Sequence, residues 1–215
     1  MTEKGTTVIT ISRQFSSGGA YIGHLVAKSL GYKFAEREVL YRAAAELGID
    51  IPEAAKHDEC CTGLVQNLMK SFIYGVPEAA YFPSSRRPVN DEELFKAECK
   101  IMKAIAEQYN AVIVGHGGFS VLRDHPGILN VFVHAPMDFR IQRHRSFHDI
   151  TVEQAREDIE DSDRKREKFL KKMTGSDRYD SRNYHLCIDS HATGFETAQQ
   201  MIIGLVEKTK GDRRL

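Results

Sequence analysis

The apolar positions of this chain gather into five short runs: TVITIS (Thr7–Ser12), YKFA (Tyr32–Ala35), AVIVG (Ala111–Gly115), ILNVFVHA (Ile128–Ala135) and HLCIDS (His185–Ser190). Most are nearly continuous rather than alternating. A strand with one face in water alternates apolar and polar side chains, whereas a continuous run fits a strand covered on both faces. Between and around the runs, apolar residues return every three or four positions. Ile22, Leu25, Val26 and Leu30 form one stripe over residues 20–30. Phe95, Cys99, Met102 and Ala106 form another over residues 91–108, behind a cap-like Asn90 with Glu93 three positions on. A last helix is predicted to start at TGFE, Thr193 to Glu196, a second capping box. Phe195, Ala198, Met201, Ile202, Leu205 and Val206 make its stripe, and Gly211 marks its stop. Strands alternating with helices predict an open α/β fold with a parallel sheet.

Two regions break the alternation. Residues 36–90 are long, mostly helical in pattern, and end in the loop YFPSSRRPVN. Residues 138–180 are densely charged. Each lies between predicted strands, so each reads as an insertion on the ligand-facing edge of the sheet. The 215 residues thus divide into one core domain, about 1–35, 91–137 and 181–215, and two insertions, about 36–90 and 138–180. A hydrophobic fraction of 41% is enough for a real core. With 30 basic and 30 acidic residues the net charge is +0, which gives no pull toward nucleic acid or an anionic membrane. No apolar run reaches the roughly 18 residues of a membrane span. The start, MTEKGTTVITIS, lacks the shape of a secretory signal. Cys60, Cys61, Cys99 and Cys187 are too sparse for a disulfide framework, so a cytoplasmic location is expected. HDECC (His57–Cys61) has no second ligand pair at zinc spacing, so no metal site is read there.

The first run leads through SRQFSSGGAY into the first helix. Unpaired N–H groups at a helix start favour an anion, and Ser16, Ser17, Gly18, Gly19, Ala20 and Tyr21 let one come close. The usual phosphate loop reads G-x-x-x-x-G-K-[ST]. Here Arg13 stands at the first glycine, Gly18 keeps the second, Gly19 replaces the lysine and Ala20 replaces the metal-binding hydroxyl. A rival alignment sets Gly18-x-Ala20-x-x-Gly23 against the dinucleotide pattern G-x-G-x-x-G, with Glu36 near the ribose-binding acid.

Several segments, taken in order, resemble the cytidylate kinase-like proteins, a divergent branch of the P-loop nucleoside monophosphate kinases. ITISRQFSSGGAYIGHLVAKSLGYKFAEREVLYRAAAELGI is similar to the start of that family. DEELFKAECKIMKAIAEQYNAVIVGHGGFSVL is similar to its third strand and flanks, and VFVHAPMDFRIQRHR to its fourth strand and the start of its lid. EDIEDSDRKREKF resembles the lid signature D-x-x-D-S-x-R, met by Asp158, Asp161, Ser162 and Arg164. The branch commonly reads S-R-x-F/Y-G-S-G-G in its loop, so the missing lysine matches it, with Ser16 where glycine is usual.

The resemblance implies a P-loop three-layer fold with a five-stranded parallel sheet. It also implies a nucleoside monophosphate-binding insert at 36–90 and a lid at 138–180. It implies ATP and Mg2+ as cofactors and small nucleotides as partners. It places Arg140 and Arg143 on the phosphates. Glu36, Arg37, Arg42, His116, Asp161 and Arg164 would face the acceptor. Phosphoryl transfer needs positioning and positive charge. Arginine can supply that charge through its planar fork, which makes Arg13 the candidate stand-in for the lysine. His116 stands where relatives carry arginine, which puts cytosine specificity in question. Plainer readings accompany each residue: Arg13 as a strand-end arginine, and the lid charges as solvated i, i+3 and i, i+4 pairs. Arg145, Lys165, Arg166 and Lys168 are read that way. Three functions stay open: a kinase acting on CMP or dCMP, a nucleotide-binding regulator without catalysis, and an NAD-type oxidoreductase.

Overall fold

A computed structural model describes residues 5–36, 39 and 91–212. Arg37, Arg42, Asn90 and the HDECC segment lie outside the described residues, as does nearly all of the first insertion. The chain begins with β1 (Val8–Arg13), α1 (Gly19–Leu30) and β2 (Lys33–Ala35). It resumes with α2 (Asp91–Gln108), β3 (Ala111–Val114), α3 (Gly118–Val121) and β4 (Ile128–His134). The charged insertion forms α4 (Met137–Arg145) and α5 (Val152–Thr174). A turn at Ser181–Asn183 then leads to β5 (Leu186–Asp189), α6 (Ser190–Thr193) and α7 (Phe195–Asp212).

The five strands are parallel in the order β2-β3-β1-β4-β5. Their continuous apolar character follows from the two layers that cover them. Ile9 and Ile11 point to one face, against Ile22 and Val26 of α1 and Ala198, Ile202 and Val206 of α7. Val8, Ala111, Ile113 and Ile128 point to the other, against Met102, Ile105 and Ala106 of α2. Each such side chain taken fully out of water contributes roughly 1.5–3 kcal/mol before entropy is counted. Thr10 is polar yet buried, and its hydroxyl donates to Asn130 Oδ1 at 2.7 Å, so β1 and β4 are also tied by side chains. β1 is central, with β3 on one side and β4 on the other. The connections diverge there, which opens a crevice beyond the carboxyl ends of the strands.

The last helix does not begin with the expected capping box. Asp189 captures the N–H groups of His191 and Ala192, and the Thr193 hydroxyl donates back to the Asp189 carbonyl at 2.9 Å. That closes α6 as a separate turn. Gly194 follows at φ 74°, and Ala198 N–H donates to its carbonyl, so the long helix starts after Gly194. α7 also runs one residue beyond Gly211. Among the described residues no helix is long and apolar enough to cross a membrane.

A buried polar strut ties the charged insertion to the core. α5 starts with a reciprocal cap between Thr151 and Gln154. It buries Ala155, Ile159, Ser162, Asp163 and Leu170. Phe15 of the β1–α1 loop packs among Ile141, Ala155 and Ile159. Beside it, Asp163 accepts from Phe15 N–H at 2.8 Å and from Arg140 Nη1 at 2.6 Å. Arg140 also reaches the Phe15 carbonyl at 3.4 Å. Both ionic side chains are nearly buried, 7% and 12% exposed, so removing one strands the other. Asp163→Ala should therefore cost about 3–5 kcal/mol, read as a lower urea midpoint. The apolar pair Arg140→Met with Asp163→Leu should lose much less, because neither charge is left behind.

Candidate functional site

The site lies at the carboxyl ends of β1 and β3. After Arg13 the chain turns through Gln14 to Gly18 into α1. Ser16 adopts φ 61°, a left-handed conformation that favours glycine, and its buried hydroxyl has no hydrogen-bond partner. Ser17 is wholly buried, and its hydroxyl is shared between the carbonyls of Gln14 at 2.9 Å and Val133 at 3.2 Å. Ser190 donates to the Ser17 carbonyl at 2.6 Å and fixes the loop from β5. Both loop glycines are needed for close packing. A Cβ on Gly18 would lie 2.5 Å from the Phe195 ring, and one on Gly19 would lie 2.6 Å from Arg13 Cβ. α1 starts at Gly19 with no side-chain cap. Its first N–H groups, around Gly19, Ala20 and Tyr21, therefore keep their anion-binding character. Ala20 packs on the core, while Tyr21 is exposed and meets the Phe195 ring edge to face at 5.5 Å.

Three sequence candidates come together beyond the ends of β1, β2 and β3. Arg13 Nη2 donates to Glu36 Oε1 at 2.8 Å. His116, held at φ 53°, reaches the Glu36 carbonyl with Nε2 at 2.8 Å and Glu98 Oε1 with Nδ1 at 3.0 Å. A carbonyl can only accept, so Nε2 carries a hydrogen. The Nδ1–Glu98 contact then holds one further proton, and the pair is neutral overall whichever partner owns it. Gly115 permits this arrangement, since a Cβ there would sit 2.0 Å from Arg13 Nη1.

The lid candidates separate. Arg140 is the strut residue, turned to Asp163 and the Phe15 carbonyl. Arg143 lies over the Phe195 ring, 4.8 Å from its centroid, beside the start of α1. Burial pushes its pKa down, and no ion pair reaches it among the described residues. Asp161 and Arg164 are turned outward and bond each other at 2.6 Å. Lys165 joins them at 3.0 Å, and hydrogen bonds from Lys165 and then Arg164 hold the Asp161 carboxyl below its ordinary range. The inward residues at the same spacing are Asp163 and Arg166, two positions on. The buried stripe of α5 thus runs through Asp163 and not through Asp161. The stripe through Ile159 and Leu170 carries that signal, because seven positions beyond Ile159 is Arg166.

A cleft of about 80 Å3 lies between these walls. Ser12, Arg13, Gly115 and His116 line the sheet side, and Lys165, Arg166 and Phe169 the α5 side. Arg178 completes it. Arg166, which sequence reasoning left on the surface, also lies over the Phe15 ring at 5.3 Å. Among the described residues no group of three His, Cys, Asp or Glu side chains is placed to hold a metal ion.

The sheet order departs from the 3-2-1 arrangement of dinucleotide-binding folds, because β3 lies between β2 and β1. Among solved structures, an uncharacterized protein from Eubacterium ventriosum ATCC 27560 superposes with a TM-score of 0.68 at 20% identity, covering 94% of this chain and 99% of that one. Shikimate kinase from Bacteroides thetaiotaomicron follows with a TM-score of 0.53 at 13% identity, covering 94% and 98%. Shikimate kinase from Acinetobacter baumannii, in complex with shikimate, gives 0.51 at 15% identity, covering 95% of each chain. These likenesses show the P-loop kinase fold. No curated protein matches the sequence. The sequence pattern of the cytidylate kinase-like family matches residues 8–192, and the chain belongs to that family.

Proposed function

We propose that this protein is a cytoplasmic phosphotransferase that moves the γ-phosphoryl group of ATP to a small anionic acceptor, CMP or dCMP foremost. The observation that carries this reading is the cationic cleft between the phosphate loop and α5, lined by Arg13, Lys165, Arg166 and Arg178. The start of α1 and Arg143 would hold the donor phosphates, and the cleft would hold the acceptor. An acceptor phosphate oxygen would attack the γ-phosphorus as the bond to the β–γ bridging oxygen breaks, releasing ADP. The positive side chains would offset the charge that spreads over the transferring group. Mg2+ would arrive on the nucleotide, since the loop offers Ala20 where a metal-binding hydroxyl stands in other phosphate loops.

A second reading, nucleotide binding without transfer, is favoured by one feature. Arg13 is engaged by Glu36 and Arg140 by Asp163, so neither of these expected catalytic charges reaches the loop unpaired. An ADP-release assay across nucleoside monophosphates separates the two. The kinase reading expects turnover with CMP or dCMP. Calorimetric binding of ATP with no turnover on any acceptor selects the second.

Restoring the missing lysine should not restore a standard phosphate loop. The Cβ of Gly19→Lys would meet Arg13 Cβ at 2.6 Å and Val133 Cβ at 3.3 Å. We expect a loss of about 1–3 kcal/mol in denaturant melts and no gain in ATP affinity by calorimetry.

A further inference from the structure

We propose that Arg178 is a substrate-binding residue, the floor of an oxyanion site that takes the anionic group of the acceptor. This rests on the kinase reading and deepens it. Arg178 follows α5, in a segment that the phosphate-loop and lid motifs leave unassigned. Its side chain lines the cleft and is 6% exposed. One arm is fixed: Nη2 donates to the Arg13 carbonyl, at the entrance of the phosphate loop. The backbone is fixed too, because the Tyr184 hydroxyl donates to the Arg178 carbonyl at 2.8 Å. Burial pushes the Tyr184 phenol up to about 12, so it stays a hydrogen-bond donor. The other arm is not used. Nη1 is buried and has no hydrogen-bond partner, and no carboxylate forms an ion pair with Arg178 among the described residues.

Such an arrangement is costly for a resting protein. A buried guanidinium without an ion-pair partner carries an uncompensated desolvation penalty. Burial is the main pull on its pKa, downward, against an opposing pull from Tyr179 and Asp163, and the charges of Arg166 and Arg13 add to the lowering. The acids nearby are committed elsewhere: Glu36 to Arg13, Asp163 to Arg140, and Glu98 to His116. An oxyanion in the cleft would supply the missing counter-charge and accept from Nη1, with Arg13 and Arg166 on its flanks. A phosphate monoester fits best, because its tetrahedral oxygens can meet more than one guanidinium at once.

The test uses inorganic phosphate and CMP as probes, read by thermal unfolding and calorimetry, so that it does not depend on turnover. Both ligands should raise the unfolding midpoint of the wild-type chain. Arg178→Gln should weaken both by about tenfold or more while ATP affinity stays within about twofold. Arg182→Gln, an exposed control that pairs with Asp180, should behave as wild type. If Arg178→Gln does not fold, Arg178→Lys should keep the charge yet bind phosphate measurably more weakly than wild type. Undiminished phosphate and CMP binding in the folded variant overturns the site, as does a wild-type chain that binds neither probe. Loss of ATP binding alone also overturns it. Phosphate binding through Arg178 without turnover removes the kinase reading and leaves the site standing. Turnover indifferent to Arg178→Gln does the reverse.

Discussion

One carboxylate joins the two halves of this site. Asp163 on α5 accepts the N–H of Phe15 and the guanidinium of Arg140, and Arg140 returns to the Phe15 carbonyl. Three groups from the phosphate loop, α4 and α5 thereby share one nearly dry contact. A loop of serines and glycines has many backbone conformations open to it, and fixing each residue costs about 1–2 kcal/mol. The strut meets that cost at Phe15, and the Ser190–Ser17 bond meets it from the opposite side. Between them Ser16 is held in a left-handed turn that its own side chain disfavours. The position of α5 over the sheet edge, and so the cleft itself, depends on the same contact.

The charges of the site then sort into pairs and remainders. Arg13 with Glu36, His116 with Glu98, and Arg140 with Asp163 are each close and each largely shielded from water. Such pairs add little net stability beyond the desolvation they offset, yet they orient what they hold. Arg143 and Arg178 differ: each is packed on an aromatic ring and has no ion pair among the described residues. They stand on opposite sides of the phosphate loop, one by Phe195 at the start of α1 and one in the cleft. Guanidiniums without an ion pair among the described residues therefore lie on both sides of the loop.

Much of the core was legible because burial on both faces leaves a strong trace in sequence. All five apolar runs became strands, with ends shifted by a residue or two. The lid was less legible. A helix in which most positions are charged satisfies many pairings on its surface, so Asp161 and Arg164 look as good as Asp163 and Arg166 until its buried stripe is traced. The Thr193 capping box failed for a local reason: its hydroxyl turns back to the Asp189 and Gly194 carbonyls, and the long helix starts after Gly194. Arg178 left no periodic trace, since it lies in a loop and its burial comes from long-range packing. The family resemblance supplied the order of segments but not which side chains are already spent on one another.

The absence of a lysine from the loop has a packing cause as well as an electrostatic consequence. Gly19 lies against Arg13 Cβ and Gly18 against Phe195, so no side chain could leave either position without displacing a neighbour. A lysine rising from a phosphate loop brings a mobile point charge on a long stem. Here charge instead approaches from α4 and from the segment after α5, through guanidiniums already fixed by aromatic rings and backbone carbonyls. Donors fixed in this way have less rotamer entropy left to lose, and their planar forks are presented at set angles. A loop built this way gives up adaptability at its own helix and depends on how accurately α4 and α5 are seated. That dependence returns to Asp163, whose two hydrogen bonds set the distance between the loop and the helices carrying those charges.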